Sequence, residues 1–119
     1  MNSIPQILAG FKPGLVLNSF LHATQAMRMQ GCAWQLLIAE LEKRNVGAIT
    51  SAENLHLTET HISMTVATSD GSYMVRVLHY IAGGERFEVR ITELKHHSVL
   101  NTFKLSKLQP SGLPDDIAD

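Results

Sequence analysis

The sequence predicts an α+β fold, in which an N-terminal helical layer, one kinked helix or two helices, packs on a four-stranded antiparallel sheet. Three observations carry that prediction. Apolar residues recur every three or four positions in the first part of the chain and every second position from Ile62 onward. The alternating runs are joined by turn segments so short that neighbours in sequence must pair antiparallel. Finally, 119 residues with 45% hydrophobic and 18% charged content supply one core and leave little for a second.

The lead-in carries Ile4, Ile7 and Leu8, and Phe11-Lys12-Pro13-Gly14 then breaks any regular pattern. Leu15 to Arg44 contains no proline. Its first half places Leu17, Phe20, Leu21, Thr24 and Met27 on one helical face. Its second half does the same with Ala33, Leu36, Leu37 and Leu41, widened by Trp34 and Ile38. Gly31 interrupts the pattern at a cost of about 1 kcal/mol relative to alanine, hence the kink or break. Lys43 and Arg44 suit the negative end of the helix dipole, and Asn45 or Gly47 is positioned to cap it.

The period then changes to two. Ile62, Met64 and Val66 alternate with Ser63, Thr65 and Ala67, and Asp70-Gly71 signals a hairpin. Tyr73 to Ile81 is the second strand, 82–85 a second turn, and Arg86 to Ile91 the third strand, with Phe87, Val89 and Ile91 on one face. Val99 to Leu105 is a weaker fourth, whose Val99, Phe103 and Leu105 share a face with the polar Asn101. Residues 46–60 stay ambiguous, since either Val46–Ile49 or Leu55–Leu57 suits a short strand. Residues 1–108 read as one domain. Residues 109–119, with two prolines and three aspartates, read as a mobile acidic tail.

Several function classes are disfavoured. Ten cationic residues against eleven acidic ones give a net charge of −1, without the basic footprint of a nucleic-acid binder. Stretches of about 20 apolar residues are lacking, so no membrane span is expected. The N-terminus lacks the basic start and apolar run of a secretory signal, and the single Cys32 has no partner for a disulfide. A cytoplasmic location is the expectation. Six histidines raise the question of metal, but His96 and His97 would point to opposite faces of a strand and no chelating spacing occurs. No metal and no cofactor is expected. Neither a nucleophile motif, a carboxylate pair nor a phosphate loop is present, so the reading leans away from an enzyme.

One surface stands out. With Val75, Val77 and Ile81 facing inward, Met74, Arg76, Leu78 and Tyr80 face outward, joined by Arg86, Glu88 and Arg90 of the next strand. A solvated face should alternate to polar, whereas Met74, Leu78 and Tyr80 are large and mostly apolar. Met74, Arg76, Leu78, Tyr80 and Arg90 are therefore the candidate partner-binding residues. The expected role is a non-enzymatic interaction or regulatory module, self-associating as a homodimer and open to another protein. The alternative is a small-molecule binder, conceivably an enzyme, with an apolar pocket between helix and sheet lined by Met27, Trp34, Met64, His79 and Phe87.

Overall fold

Helix α1 (Leu15–Ala26) and helix α2 (Cys32–Lys43) follow a short 3-10 turn at Gln6–Leu8. The computed structural model describes residues 6–26, 32–80 and 86–105. Met27, Gly31, Ile81 and the tail from 109 onward therefore lie outside the described residues. The helical region forms two helices, and each buries the stripe that its spacing marks. Leu17 and Phe20 of α1, and Ala33, Leu36, Leu37, Ile38 and Leu41 of α2, are buried. Thr24, the polar member of the α1 stripe, is also buried, and its hydroxyl donates to the carbonyls of Phe20 and Leu21 at 3.0 Å. The Thr24 hydroxyl is thus met within its own helix.

The end of α2 shows which candidate caps it. Asn45 adopts the left-handed conformation, φ 56°. Its N–H donates to Glu42 O (3.0 Å), and the Val46 N–H reaches back to Leu41 O (3.1 Å). This double bond pattern is a Schellman cap with asparagine in place of glycine. Gly47 serves differently, donating its N–H to Asp70 Oδ2 at 2.6 Å.

The sheet has five strands, not four: β1 (Ile49–Leu57), β2 (His61–Thr68), β3 (Gly71–Tyr80), β4 (Arg86–Glu93) and β5 (Ser98–Leu105). They pair antiparallel in the order β1-β2-β3-β4-β5, a simple meander. β1 is the added strand. Only its Ile49 is buried, and its pairing with β2 shifts register twice. With one face in solvent and two bulges, it has no regular alternation for the sequence to display.

Two further details differ from expectation. The β2–β3 hairpin turns on Ser69-Asp70, between the paired residues Thr68 and Gly71, rather than on Asp70-Gly71. Gly71 follows at φ 140°, where a side chain would be strained. In β5, a register shift sets Asn101 opposite Ile91 and Val99 opposite Thr92. Val99 therefore leaves the face of Phe103 and Leu105 and stands 55% exposed.

α1 lies over β1 and β2, and α2 over β3 and β4. Between helices and sheet lie Met64, Val66, Val75, Val77, Val89 and Ile91, all fully buried. These residues are mostly β-branched, the shape that packs best on a pleated surface. One charged group enters this layer. Glu40 of α2 is buried and accepts from Arg44 Nε (2.7 Å) and from Asn101 Nδ2 of β5 (3.0 Å). Arg44 also donates from Nη2 to Leu100 O at 3.1 Å.

Candidate functional site

Strand β3 alternates as its pleat requires. Tyr73, Val75 and Val77 are buried beneath the helices, and Met74, Arg76 and Leu78 are half-buried on the opposite side, with Tyr80 exposed. Register then fixes what stands beside them. Arg76 lies between Ser63 of β2 and Arg90 of β4, and Arg90 lies opposite Thr102 of β5. This cross-sheet row therefore reads hydroxyl, guanidinium, guanidinium, hydroxyl. The row on one side of it holds Thr65, Met74, Thr92 and Val99, and the row on the other holds His61, Leu78, Glu88 and Lys104. All five predicted contact residues, Met74, Arg76, Leu78, Tyr80 and Arg90, share this outer face.

The electrostatics are uneven. Arg90 donates from Nη2 to Glu88 Oε1 at 2.5 Å, and Glu88 is itself buried although it points outward. Arg86 lies over the Tyr80 ring, its guanidinium carbon 5.0 Å from the centroid, a cation–π contact. Among the described residues Arg76 has no carboxylate: its Nη2 approaches Met74 Sδ at 3.9 Å, and its Nε is shielded from solvent without an acceptor. Like charges directly opposite in a sheet are destabilising, and a shielded donor left unmet costs about 1–3 kcal/mol.

The structure extends this face with residues the sequence left unassigned. β2 adds Ser63 and Thr65, both buried, and β1 adds Glu53 opposite Thr65 and His56 opposite Ser63. Glu53 is exposed, and its carboxylate makes no hydrogen bond or ion pair with the described residues. Its place on the outer face depends on the register of β1, which no periodicity signals.

The described residues among those expected to line a pocket are Trp34, Met64, His79 and Phe87. Met64 is fully buried mid-core, and Phe87 stacks on His79 with ring centroids 4.6 Å apart. Trp34 packs on Phe11 at 6.1 Å, and Met27 lies outside the described residues. Cavities lined by described residues include the following two. One, about 490 Å³, lies between Gln6, Ile7 and the turn Asn45–Ala48, and the other, about 230 Å³, between Phe11–Leu17 and Thr50–Ala52. Neither is lined by Trp34, Met64, His79 or Phe87.

Elsewhere, Glu93 caps the β4–β5 turn. Burial alone would raise its pKa, but bonds from the His96 ring and from the His96 and Lys95 N–H groups outweigh this and lower it. Among the described residues, His, Cys, Asp and Glu do not converge in groups of three or more, and no helix is long and apolar enough to cross a membrane. Compared with known proteins, the chain matches no family model, no curated protein and no solved structure, so the reading of the outer face rests on its own residues.

Proposed function

We propose that this protein is a non-enzymatic interaction or regulatory module that self-associates through the outer face of its sheet. The observation that carries the reading is the outward row of β3. Met74, Leu78 and Tyr80 occupy positions where a solvated face would be polar, and no described helix packs over them. Met, Tyr and Arg are the residue types enriched at association surfaces. Covering half-buried Met74 and Leu78 contributes about 25 cal/mol per Å² of apolar surface removed from water. The flanking Arg76 and Arg90 then fix register more than they add affinity.

The test is the solution mass, measured by light scattering on a sizing column across a concentration series. The wild type is expected near twice 13.1 kDa, and Leu78→Glu near 13.1 kDa with its thermal unfolding unchanged. Tyr80→Ala is expected to weaken association in the same direction. A wild type that stays at 13.1 kDa throughout, or a Leu78→Glu variant of unchanged mass, overturns the proposal.

A further inference from the structure

The outer face is not uniformly charged. Its β3–β5 side carries Arg76, Arg90 and Lys104, and the carboxylate among the described residues there, Glu88, is already held by Arg90. Its β1 side carries Glu53, exposed and unpaired among the described residues. A face that is cationic on one side and acidic on the other matches itself after a half-turn. From this polarity we infer that Glu53 of a second copy supplies the carboxylate for the Arg76–Arg90 pair, reciprocally across a two-fold axis. This rests on the self-association reading above and adds its register.

The geometry is that of two sheets packed face to face, with the axis running along the strands over the β2–β3 pair. Such an axis sets β1 of each copy over β4 of the other, with Glu53 over the row of Met74 and Thr92, one row along the strand from Arg76 and Arg90, so that two long side chains meet on the diagonal. It is an isologous contact, in which each residue pairing occurs twice. The carboxylate accepts from Arg76, which has a shielded donor and no described acceptor, so that with Glu88 on Arg90 each of the two facing guanidinium groups has its own carboxylate. Two oxygens and a planar guanidinium suit a bidentate bond. Ser63 and Thr102, at the ends of the same row, offer further hydroxyl donors. Without that carboxylate, Arg90 has Glu88 and Arg76 keeps a shielded donor with no described acceptor.

A charge swap tests the register separately from the surface. Glu53→Lys sets lysine against the partner's Arg76, and Arg76→Glu sets glutamate against the partner's Glu53. Each variant alone should dimerise at least about tenfold more weakly than the wild type. Mixed one to one, they form a pair in which both contacts are again of opposite charge, and the dimer should return towards wild-type affinity. Glu53 is exposed on an edge strand, so its variant keeps the test valid even if Arg76→Glu unfolds. The inference is overturned if Glu53→Lys dimerises like the wild type and mixing restores nothing while Leu78→Glu still gives monomer. In that case the surface stands and only its register is wrong. It is likewise overturned if Asp115→Asn with Asp116→Asn in the full chain weakens the dimer and Glu53→Lys does not, which would assign the carboxylate to the acidic segment. A wild type that never dimerises removes the self-association reading itself.

Discussion

Glu40 shows how one residue ties two layers together. Its carboxylate joins α2 to β5 through Asn101, with Arg44 closing the other side. Burial alone would raise its pKa. The bonds from Asn101 and Arg44, with the charges of Arg44 and Lys43, outweigh that and hold it below the ordinary value of 4.5. A carboxylate with a depressed folded pKa adds stability above its unfolded pKa, and loses it as pH falls through the folded value. In urea titrations from pH 7 to pH 3, the wild type should therefore lose stability below about pH 4.5 more steeply than Glu40→Gln. Equal slopes would contradict the assignment. Asn101→Ala removes a bond to a buried charge and should cost about 1.5–3 kcal/mol at neutral pH. The sequence shows Asn101 only as a polar exception among Val99, Phe103 and Leu105. Its partner lies 61 residues away, a distance over which no local spacing speaks.

Among the elements, those with a strict period were readable and those without were not. α1, α2 and β2–β4 each bury one face, so burial stamps a period of 3.6 or 2 on the residues. β1 is exposed at most positions and twice bulged, and Asn54 within it takes φ 56°. It is held from both ends instead. Gly47 leads into it and is pinned to the β2–β3 turn through Asp70 Oδ2. A Cβ at position 47 would fall within the van der Waals surface of Ser69 Oγ and lie 3.0 Å from Asp70 Oδ2. Gly47→Ala is therefore expected to destabilise the fold by about 1–3 kcal/mol in chemical denaturation. The cost should shrink in a Ser69→Ala background, where the obstructing oxygen is gone. An equal cost in both backgrounds would show that the close approach is not its source. The outer face was half legible for the same reason: Met74 to Tyr80 and Arg90 came from clean pleats, and Glu53 required the register of β1.

For the molecule as a whole, the meander concentrates protection in its middle. Met64, Val66, Val75, Val77, Val89 and Ile91 are fully buried on three adjacent strands, and β1 is largely exposed. Native-state hydrogen exchange should be slowest at the amides of β2, β3 and β4 and clearly faster along β1. Uniform protection across the sheet would mean that β1 belongs to the same cooperative unit. The flanks of the sheet differ from its centre in another way. At β5, the Leu100 carbonyl is taken by Arg44 Nη2 and the Thr102 N–H by the Asn101 side chain at 2.8 Å. At β1, bulges break the line of backbone groups. Neither flank offers an incoming strand an uninterrupted row of donors and acceptors, which is how natural sheets resist edge-to-edge growth. Copies that cannot extend one another sideways would have to associate through the sheet face. In the proposed pair, face-to-face stacking about a two-fold axis would use up the association surface in a single step, which would close the assembly at two copies and leave no open-ended fibre.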